Sequence, residues 1–220
     1  MKLYGIVGAG GFGREVMPLA EHGLQVSNGL DQESELVFVV EDQFDIPDKL
    51  INNHRVMKLS EFLSAPATER RYSIAIGDSA SRERIANSIP TDLARPFSIY
   101  APNHVSLSGN SVGEGAIFCS FSHVTSNARI GRFFHGNIYS YIAHDCVIGD
   151  FVTFAPGVMC NGHVIVEDHA YIGTGVVIKD GTDRPIVIGR RAIVGMGAVV
   201  TKSVPAGTTV IGNPARPIVK

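Results

Sequence analysis

His144 and Asp145 are the two residues of this sequence best suited to acid–base chemistry. They stand side by side in the segment IAHDCVIG. A neutral imidazole accepts a proton near pH 7, and a neighbouring carboxylate increases its basicity. A positioned imidazole is the most frequent general base in enzymes. The pair therefore predicts proton abstraction from a substrate, although a solvated surface histidine is the alternative for any single position.

A glycine-rich segment at the start of the chain, Gly8–Gly13 (GAGGFG), indicates a second site. It follows a buried-strand pattern at residues 3–7 and precedes a helical pattern at residues 14–24. Glycines permit a tight turn and close backbone approach, and a helix N-terminus offers free N–H groups to a phosphate. Two more strand patterns end at Glu41-Asp42 and Gly77-Asp78. Because parallel strands end at one edge of a sheet, the three segments predict a nucleotide site.

A repeat of six residues must position His144. Apolar or small residues recur every sixth position from Val112 to Ile178, and again at Ile188, Val194 and Val200. Helices repeat near 3.6 residues and strands repeat at 2, so neither explains this period. It predicts a parallel β-helix, in which three repeats make one triangular coil. The break in phase at residues 179–187 predicts a loop with four extra residues.

One coil takes 18 residues, so positions 18 apart should stack at the ~4.8 Å spacing of neighbouring strands. His144 then lies between Ser126 and Gly162, whose small side chains leave room for a substrate. Asp145 and His163 share the next column and are placed to touch. A third column contains His135, Thr153 and Tyr171.

The other histidines of the repeat do not assemble into a metal site. His163 and His169 are six residues apart and therefore lie on different faces of the coil. Three converging histidines cannot be found, so we expect no metal. We expect solvated positions for His104, His123 and His169. For His135 and His163 a structural and a functional role are equally supported.

Composition excludes several classes of function. The chain has 220 residues, a net charge of −2 and three cysteines without CxxC spacing. The charge offers no basic field for nucleic acid, and no apolar stretch approaches the ~20 residues of a membrane span. An odd number of scattered cysteines argues against a disulfide framework or a zinc site, so Cys146 and Cys160 are interpreted as packing residues. The start of the chain does not have the pattern of a signal peptide, and we expect a cytoplasmic protein.

Three segments carry a resemblance to a known family: GAGGFGREV, SYIAHDCVIGDFVTFAPGVMCNGHV and VPAGTTVIGNPAR. The chain resembles the bacterial hexapeptide-repeat acyltransferases that modify nucleotide-linked sugars, among them UDP-4-amino-sugar N-acetyltransferases and sialic acid O-acetyltransferases. The resemblance implies an α/β half-Rossmann-like domain at residues 1–100 that binds the nucleotide sugar. It implies a left-handed parallel β-helix at residues 101–220, assembly as a homotrimer, acetyl-CoA as donor and a role in surface glycan biosynthesis.

The resemblance also assigns roles by position. His144 is the general base, and Asp145 is the acid that raises its basicity. The nucleotide sugar is expected at Gly10, Gly11, Phe12, Glu41, Asp42, Gly77 and Asp78. Coenzyme A is expected at Thr153, Gly162, Thr174, Gly195, Met196, Asn213 and Pro214. Thr153 departs from the pattern, because some relatives have a second histidine there, near the thioester.

The sequence favours acetyl transfer to an amino group of a nucleotide-activated sugar, with transfer to a sugar hydroxyl as a close alternative. An NAD-dependent oxidoreductase is disfavoured, because fewer than 100 residues make about half of the six-stranded fold that holds NAD. A non-catalytic scaffold would leave His144 and Asp145 unexplained. Four aromatic residues are expected to point outward and to support a trimer: Phe121, Phe133, Phe151 and Tyr171.

Overall fold

The structure is a computed structural model that describes residues 1–26, 33–46 and 48–218. The chain folds into two compact units, Met1–Pro102 and Asn103–Lys220. Among the described residues, no helix has the length and apolar character that crossing a membrane requires.

The first unit is a six-stranded mixed sheet with three helices. Its strands are β1 Lys2–Val7, β2 Ser34–Val40, β3 Leu50–Ile51, β4 His54–Lys58, β5 Glu69–Ile74 and β6 Arg95–Pro96, followed by a short β7 at Ile99–Tyr100. The helices are α1 Gly11–Val26, α2 Leu59–Ser64 and α3 Ser79–Ser88. The strand order is β3-β4-β2-β1-β5-β6, and only the β3–β4 pair is antiparallel.

The central strands β1 and β2 are apolar because they are buried on both faces of the sheet. Gly5 in β1 shows how closely a helix packs there. A Cβ atom on Gly5 would lie 2.9 Å from the ring of Phe62, which is fully buried in α2. The predicted half-Rossmann-like domain is confirmed as a mixed α/β sheet domain, with short strands added at both edges.

The second unit is a parallel β-helix with three faces. The first face contains Ile117–Phe118, His135–Gly136, Thr153–Phe154, Tyr171–Ile172, Ile193–Val194 and Thr209–Ile211, with Arg216–Pro217 antiparallel to the last. The second face contains Val105–Ser106, His123–Val124, Tyr141–Ile142, Met159–Cys160, Val177–Ile178 and Val199–Val200. The third face contains Ser111–Val112, Arg129–Ile130, Val147–Ile148, Val164–Val166 and Ile186–Ile188.

The predicted hexapeptide repeat and its stacking are confirmed. His135 pairs with Thr153, which pairs with Tyr171, so the register advances 18 residues per coil. The residues on the six-residue phase point inward and form one apolar core. Across the phase break, Val166 pairs with Ile188. The additional residues form a loop shorter than the predicted 179–187, because residues 186 and 187 already belong to the strand Ile186–Ile188.

Every third residue of the six-residue repeat pattern is followed by a glycine, as at Gly113, Gly131 and Gly149, and the reason is steric. A Cβ atom on Gly131 would lie 2.6 Å from the carbonyl carbon of Gly149 in the next coil. Adjacent coils therefore approach too closely at this corner for any side chain. All three cysteines are buried, which agrees with the interpretation of Cys146 and Cys160 as packing residues.

The prediction that four aromatic residues point outward is wrong for two of them. Phe121 and Tyr171 are exposed, but Phe133 and Phe151 each keep only 1% of their surface accessible. Their rings stack on each other with centroids 5.5 Å apart, and His169 stacks on Phe151 at 5.3 Å. Corner side chains in one column bury one another, which the simple division into inward and outward positions does not capture.

The burial of the histidines in the repeat differs from the prediction. His123 is exposed, as predicted. The solvated position expected for His169 is wrong, because this residue is buried, as is His135. His104 is partly buried, with Nδ1 2.9 Å from Oγ of Ser122 and its ring against Phe118. Burial lowers the pKa of His104 to about 4.

Candidate active site

His144 and Asp145 form a hydrogen-bonded pair at the corner between the second and third faces. Nδ1 of His144 lies 2.9 Å from Oδ2 of Asp145. The His144 side chain is 51% exposed, so its ring is held at one nitrogen and accessible elsewhere. The hydrogen bond with His144 is the main cause that lowers the pKa of the Asp145 carboxyl. The pair has the arrangement of a general base with its orienting carboxylate.

Asp145 adopts a left-handed backbone conformation, with φ of +58°. Aspartate tolerates this region better than bulky residues do. The turn places its carboxylate between two stacked neighbours, as the 18-residue spacing predicts. Asn127 Nδ2 donates to Oδ1 at 3.4 Å, and His163 Nε2 lies 3.7 Å from Oδ2. The predicted contact between Asp145 and His163 is therefore confirmed.

Gly162 lies directly against the His144 ring. A Cβ atom at this position would lie 2.6 Å from Cε1 and 2.8 Å from Nε2 of His144. The same position would be 2.7 Å from Oδ2 of Asp180. Glycine at residue 162 therefore allows the His144 ring and the Asp180 carboxylate to lie this close to the chain, and a larger residue would displace them. The room for a substrate beside His144 stays a prediction.

The loop within residues 179–187 brings two further polar residues to this corner. Oδ2 of Asp180 lies 4.0 Å from Nδ1 of His163, and Thr182 Oγ1 lies 3.3 Å from the same nitrogen. Hydrogen bonds from Thr182 lower the pKa of Asp180. Sequence analysis missed Asp180 because the repeat breaks there, although it stands 18 residues after Gly162 and could have been found by the same arithmetic.

His144, His163 and Asp180 each offer one donor atom, and these atoms lie within 4.8 Å of one another. The prediction that three histidines do not converge is not contradicted by this group, which contains two histidines. It considered histidines alone, whereas the third member is a carboxylate from the inserted loop.

Five of the seven residues expected at coenzyme A form a second group at the corner between the first and second faces: Thr174, Gly195, Met196, Asn213 and Pro214. The Thr174 carbonyl accepts a hydrogen bond from Gly197 N at 2.8 Å, and Met196 is 79% exposed in the next coil. A Cβ atom on Gly195 would lie 2.6 Å from Cγ2 of Ile211, close to the segment Asn213-Pro214. The structure therefore brings these residues into adjacent coils.

Within one chain this group does not meet the His144 corner. Thr174 precedes a strand of the second face, Val177–Ile178, whereas Gly162 follows another strand of that face, Met159–Cys160. The two groups therefore lie at opposite ends of the second face. Thr153 is buried on the first face and belongs to neither corner.

The first unit has a cavity of about 300 Å³ at the carboxyl ends of β1 and β2. It is lined by Val7, Gly8, Ala9, Gly10, Val39, Val40, Glu41, Phe44, Asp45, Ile51, Val56 and Ile76. Added Cβ atoms on Gly10, Gly11 and Gly77 would meet no atom within 4 Å. Gly13 has a structural role instead, since its Cβ would lie 1.8 Å from the Gly8 carbonyl oxygen.

Glu41 lines this cavity and is held by Arg84 of α3. The guanidinium binds both carboxylate oxygens, with Arg84 Nη2 donating to Oε1 at 2.9 Å. This hydrogen bonding is the main cause that lowers the pKa of Glu41. Glu41 is therefore a fixed, ionised acceptor at the predicted position. Sequence analysis missed Arg84, Phe44 and Asp45, because no motif marks them.

Asp42 and Asp78 serve as helix caps in this structure. Asp42 accepts hydrogen bonds from the Ser60 backbone N and side-chain Oγ at the start of α2. Asp78 accepts from Ser81 N at 2.8 Å and is the N-cap of α3. Capping satisfies backbone N–H groups that lack partners at a helix start. Neither carboxylate lines the cavity, and neither do Phe12 or Gly77.

An α/β domain with a cavity at its strand ends, followed by a β-helix that presents a carboxylate-held imidazole, defines the class of β-helix acyltransferases. Residues 5–89 match the model of the PglD N-terminal domain family. A GDP-perosamine N-acetyltransferase of Escherichia coli O157:H7 is 49% identical over 217 residues, which covers 98% of this chain and 96% of that protein.

Two solved structures resemble the whole chain. WeeI from Acinetobacter baumannii AYE is 49% identical, with a TM-score of 0.91 and coverage of 99% of this chain and 100% of that one. PerB from Caulobacter crescentus, in complex with CoA and GDP-perosamine, shares the fold at 22% identity, with a TM-score of 0.82 and coverage of 98% and 97%.

The chain belongs to the family of hexapeptide-repeat sugar N-acetyltransferases, enzymes that take the acetyl group from acetyl-CoA. The predicted family and the predicted transferase activity are thereby confirmed. The alternatives of an NAD-dependent oxidoreductase and of a non-catalytic scaffold are excluded by this membership.

Proposed function

We propose that this enzyme acetylates the amino group of a nucleotide-linked amino sugar, with GDP-perosamine as the first candidate substrate. The relative that is 49% identical over nearly the full length is named for this substrate. The observation that carries the chemistry is the 2.9 Å contact between His144 Nδ1 and Asp145 Oδ2, with the His144 ring exposed at the corner of the coil.

The reaction proceeds by direct attack within a ternary complex. The neutral sugar amine attacks the carbonyl carbon of the thioester, and Nε2 of His144 accepts the proton that the amine loses. The carbon–sulfur bond then breaks, and the sulfur of coenzyme A leaves with the proton that His144 returns. No acyl-enzyme forms, and the transfer requires no metal. Asp145 stabilises the imidazolium that exists between the two proton transfers.

The cavity of the first unit holds the nucleotide. Phosphates fit the open glycines Gly10 and Gly11 at the start of α1, where backbone N–H groups have no helical partner. The fixed carboxylate of Glu41 accepts hydrogen bonds from ribose hydroxyls or from N–H groups of the base. Asp45, which also lines the cavity, is a second acceptor.

A homotrimer completes the coenzyme A site. The residues expected at coenzyme A and the His144 corner lie at opposite ends of one face, so a second chain must bring such a group to each base. Exposed apolar side chains on the coils support association, among them Phe121, Tyr139, Met159, Tyr171 and Ile193. Light scattering should give three times the chain mass, and a monomer that retains full activity would contradict the trimer.

We also propose a cytoplasmic location, because both acetyl-CoA and nucleotide sugars are substrates of cytoplasmic biosynthesis. The enzyme then acts before the sugar is transferred into a surface glycan. The family relationship supports this position.

A thiol-release assay tests the substrate assignment. The enzyme is incubated with acetyl-CoA and a panel of GDP-, UDP-, dTDP- and CMP-linked sugars that carry either an amino group or only hydroxyls. GDP-perosamine should give the highest kcat/KM, and mass spectrometry should show an amide product. A preference for a hydroxyl sugar, or for another nucleotide, would contradict the proposal.

A further inference from the structure

We propose that His144, His163 and Asp180 form a binding site for a transition-metal ion, best suited to Zn²⁺, whose occupation blocks the enzyme. The binding itself is independent of the proposed function. Only the consequence for activity depends on His144 acting as the base.

The donor atoms are already close together. Nδ1 of His163 lies 4.0 Å from Oδ2 of Asp180, and all three donor atoms lie within 4.8 Å. The Cβ position that Gly162 lacks is 2.8 Å from His144 Nε2 and 2.7 Å from Asp180 Oδ2. Glycine at residue 162 therefore lets these two donors lie closer to the chain, and to each other, than a larger residue would allow.

Asp145 orients both imidazoles. Its Oδ2 contacts Nδ1 of His144 at 2.9 Å and lies 3.7 Å from Nε2 of His163. One nitrogen of each ring is thus directed at Asp145. The second nitrogens are His144 Nε2 and His163 Nδ1, and a metal ion would have to displace Thr182 Oγ1, which lies 3.3 Å from His163 Nδ1. Histidines that bind metals commonly present their second nitrogen to a carboxylate in this way.

The donor set selects the class of ion. Two imidazole nitrogens and one carboxylate oxygen suit Zn²⁺ and similar transition metals, whereas Mg²⁺ and Ca²⁺ prefer oxygen ligands. Zn–N bonds of about 2.0–2.1 Å require donor atoms closer together than they lie here. The three side chains must therefore draw in by roughly 1 Å, and each is more than a third exposed, so side-chain rotation can supply this movement.

Metal binding and base catalysis exclude each other at His144. The lone pair of Nε2 that would accept the amine proton forms the coordinate bond instead. No electron transfer or covalent change in the protein is involved. A chelator should therefore restore activity fully.

The test uses the untagged full-length protein, because a polyhistidine tag would itself bind metal. Calorimetric titration with Zn²⁺, without substrate, should show one ion per chain. Titration with Co²⁺ should produce visible absorption of a low-coordinate nitrogen–oxygen site. Asp180→Asn and His163→Gln should each weaken binding by about tenfold or more. Asp183→Asn, in the same loop but outside the group, is the matched control and should bind as the parent does.

Activity gives a separate measurement. Zn²⁺ should inhibit the parent enzyme, and EDTA should restore its activity. At the same Zn²⁺ concentration, the Asp180→Asn enzyme should lose a smaller fraction of the activity that it has without metal. Absence of stoichiometric binding, or equal binding by the parent and both ligand variants, overturns the site. An inactive but metal-binding parent would contradict the proposed function and leave the metal site standing.

Discussion

A Cβ atom on Gly162 would lie 2.8 Å from Nε2 of His144, so the imidazole can take its position only because residue 162 has no side chain. The two residues are 18 positions apart and belong to consecutive coils. Stacking in a β-helix places each corner residue directly over its counterpart one coil away. The position of the His144 ring therefore depends on a residue one coil away.

Gly162→Ala should lower kcat by roughly 10- to 100-fold, because the methyl group displaces the imidazole from its working position. Gly162 does not have a positive φ, so alanine causes no backbone strain there. The melting temperature should change little, and a thermal melt provides the control. Normal turnover by a correctly folded Gly162→Ala enzyme would show that the close contact between His144 and a glycine at residue 162 is not needed for catalysis.

His144→Ala should lower kcat by about 10²–10⁴-fold, the usual contribution of a general base, while acetyl-CoA affinity changes little. His123→Ala is the matched control, because His123 is an exposed histidine on the same face. Steady-state kinetics should show intersecting lines typical of a ternary complex. Ping-pong kinetics would contradict direct attack.

Asp145→Asn should reduce kcat less than His144→Ala does. The low pKa of Asp145 keeps its carboxylate ionised through the working pH range, so it stabilises a protonated His144. Asparagine removes that negative charge and cannot stabilise a positive charge that forms on the imidazole during the reaction. The acid limb of the pH–rate profile should therefore move to lower pH. A profile that keeps its position would restrict Asp145 to a structural role.

Gly11→Val should raise the KM for the nucleotide sugar strongly and leave the KM for acetyl-CoA nearly unchanged. An added side chain at Gly11 meets no protein atom, so its effect falls on a ligand that approaches the start of α1. Gly23→Ala, later in the same helix, is the control and should leave both values unchanged. Equal increases in both KM values would indicate a structural defect.

The stability of the β-helix should fall as the pH drops below about 6.5. His104 has a pKa of about 4 in the folded protein, against 6.5 for an unperturbed histidine. Between these values the unfolded chain binds a proton that the folded chain excludes, so acid favours unfolding. His104→Phe removes this proton linkage and retains an aromatic ring against Phe118. Thermal melts at pH 7 and pH 5 should show a smaller decrease for His104→Phe than for the parent protein.

The sequence by itself determined the β-helix and the neighbours of the base. A period of six residues is a local property, and it permits only one stacking register once three repeats make a coil. For that reason the placement of Gly162 over His144, and of His163 over Asp145, could be predicted by counting. The same counting located the loop within residues 179–187.

Only the tertiary structure decided which polar groups of the first unit face the cavity. Asp42 and Asp78 follow strand ends, as Glu41 does, yet they cap helices α2 and α3, while Arg84 of α3 holds Glu41. These contacts depend on how each helix packs against the sheet, which no motif at the strand ends encodes.

The burial of Phe133 and Phe151 was likewise decided by the tertiary structure. Counting places Asp180 in the column of Gly162, but the approach of its carboxylate to within 4.0 Å of His163 was decided by the tertiary structure. A repeat fixes which backbone positions stack. Where a side chain turns at a corner depends on the volume and charge of the neighbours already there, and that information is spread over segments one or two coils apart.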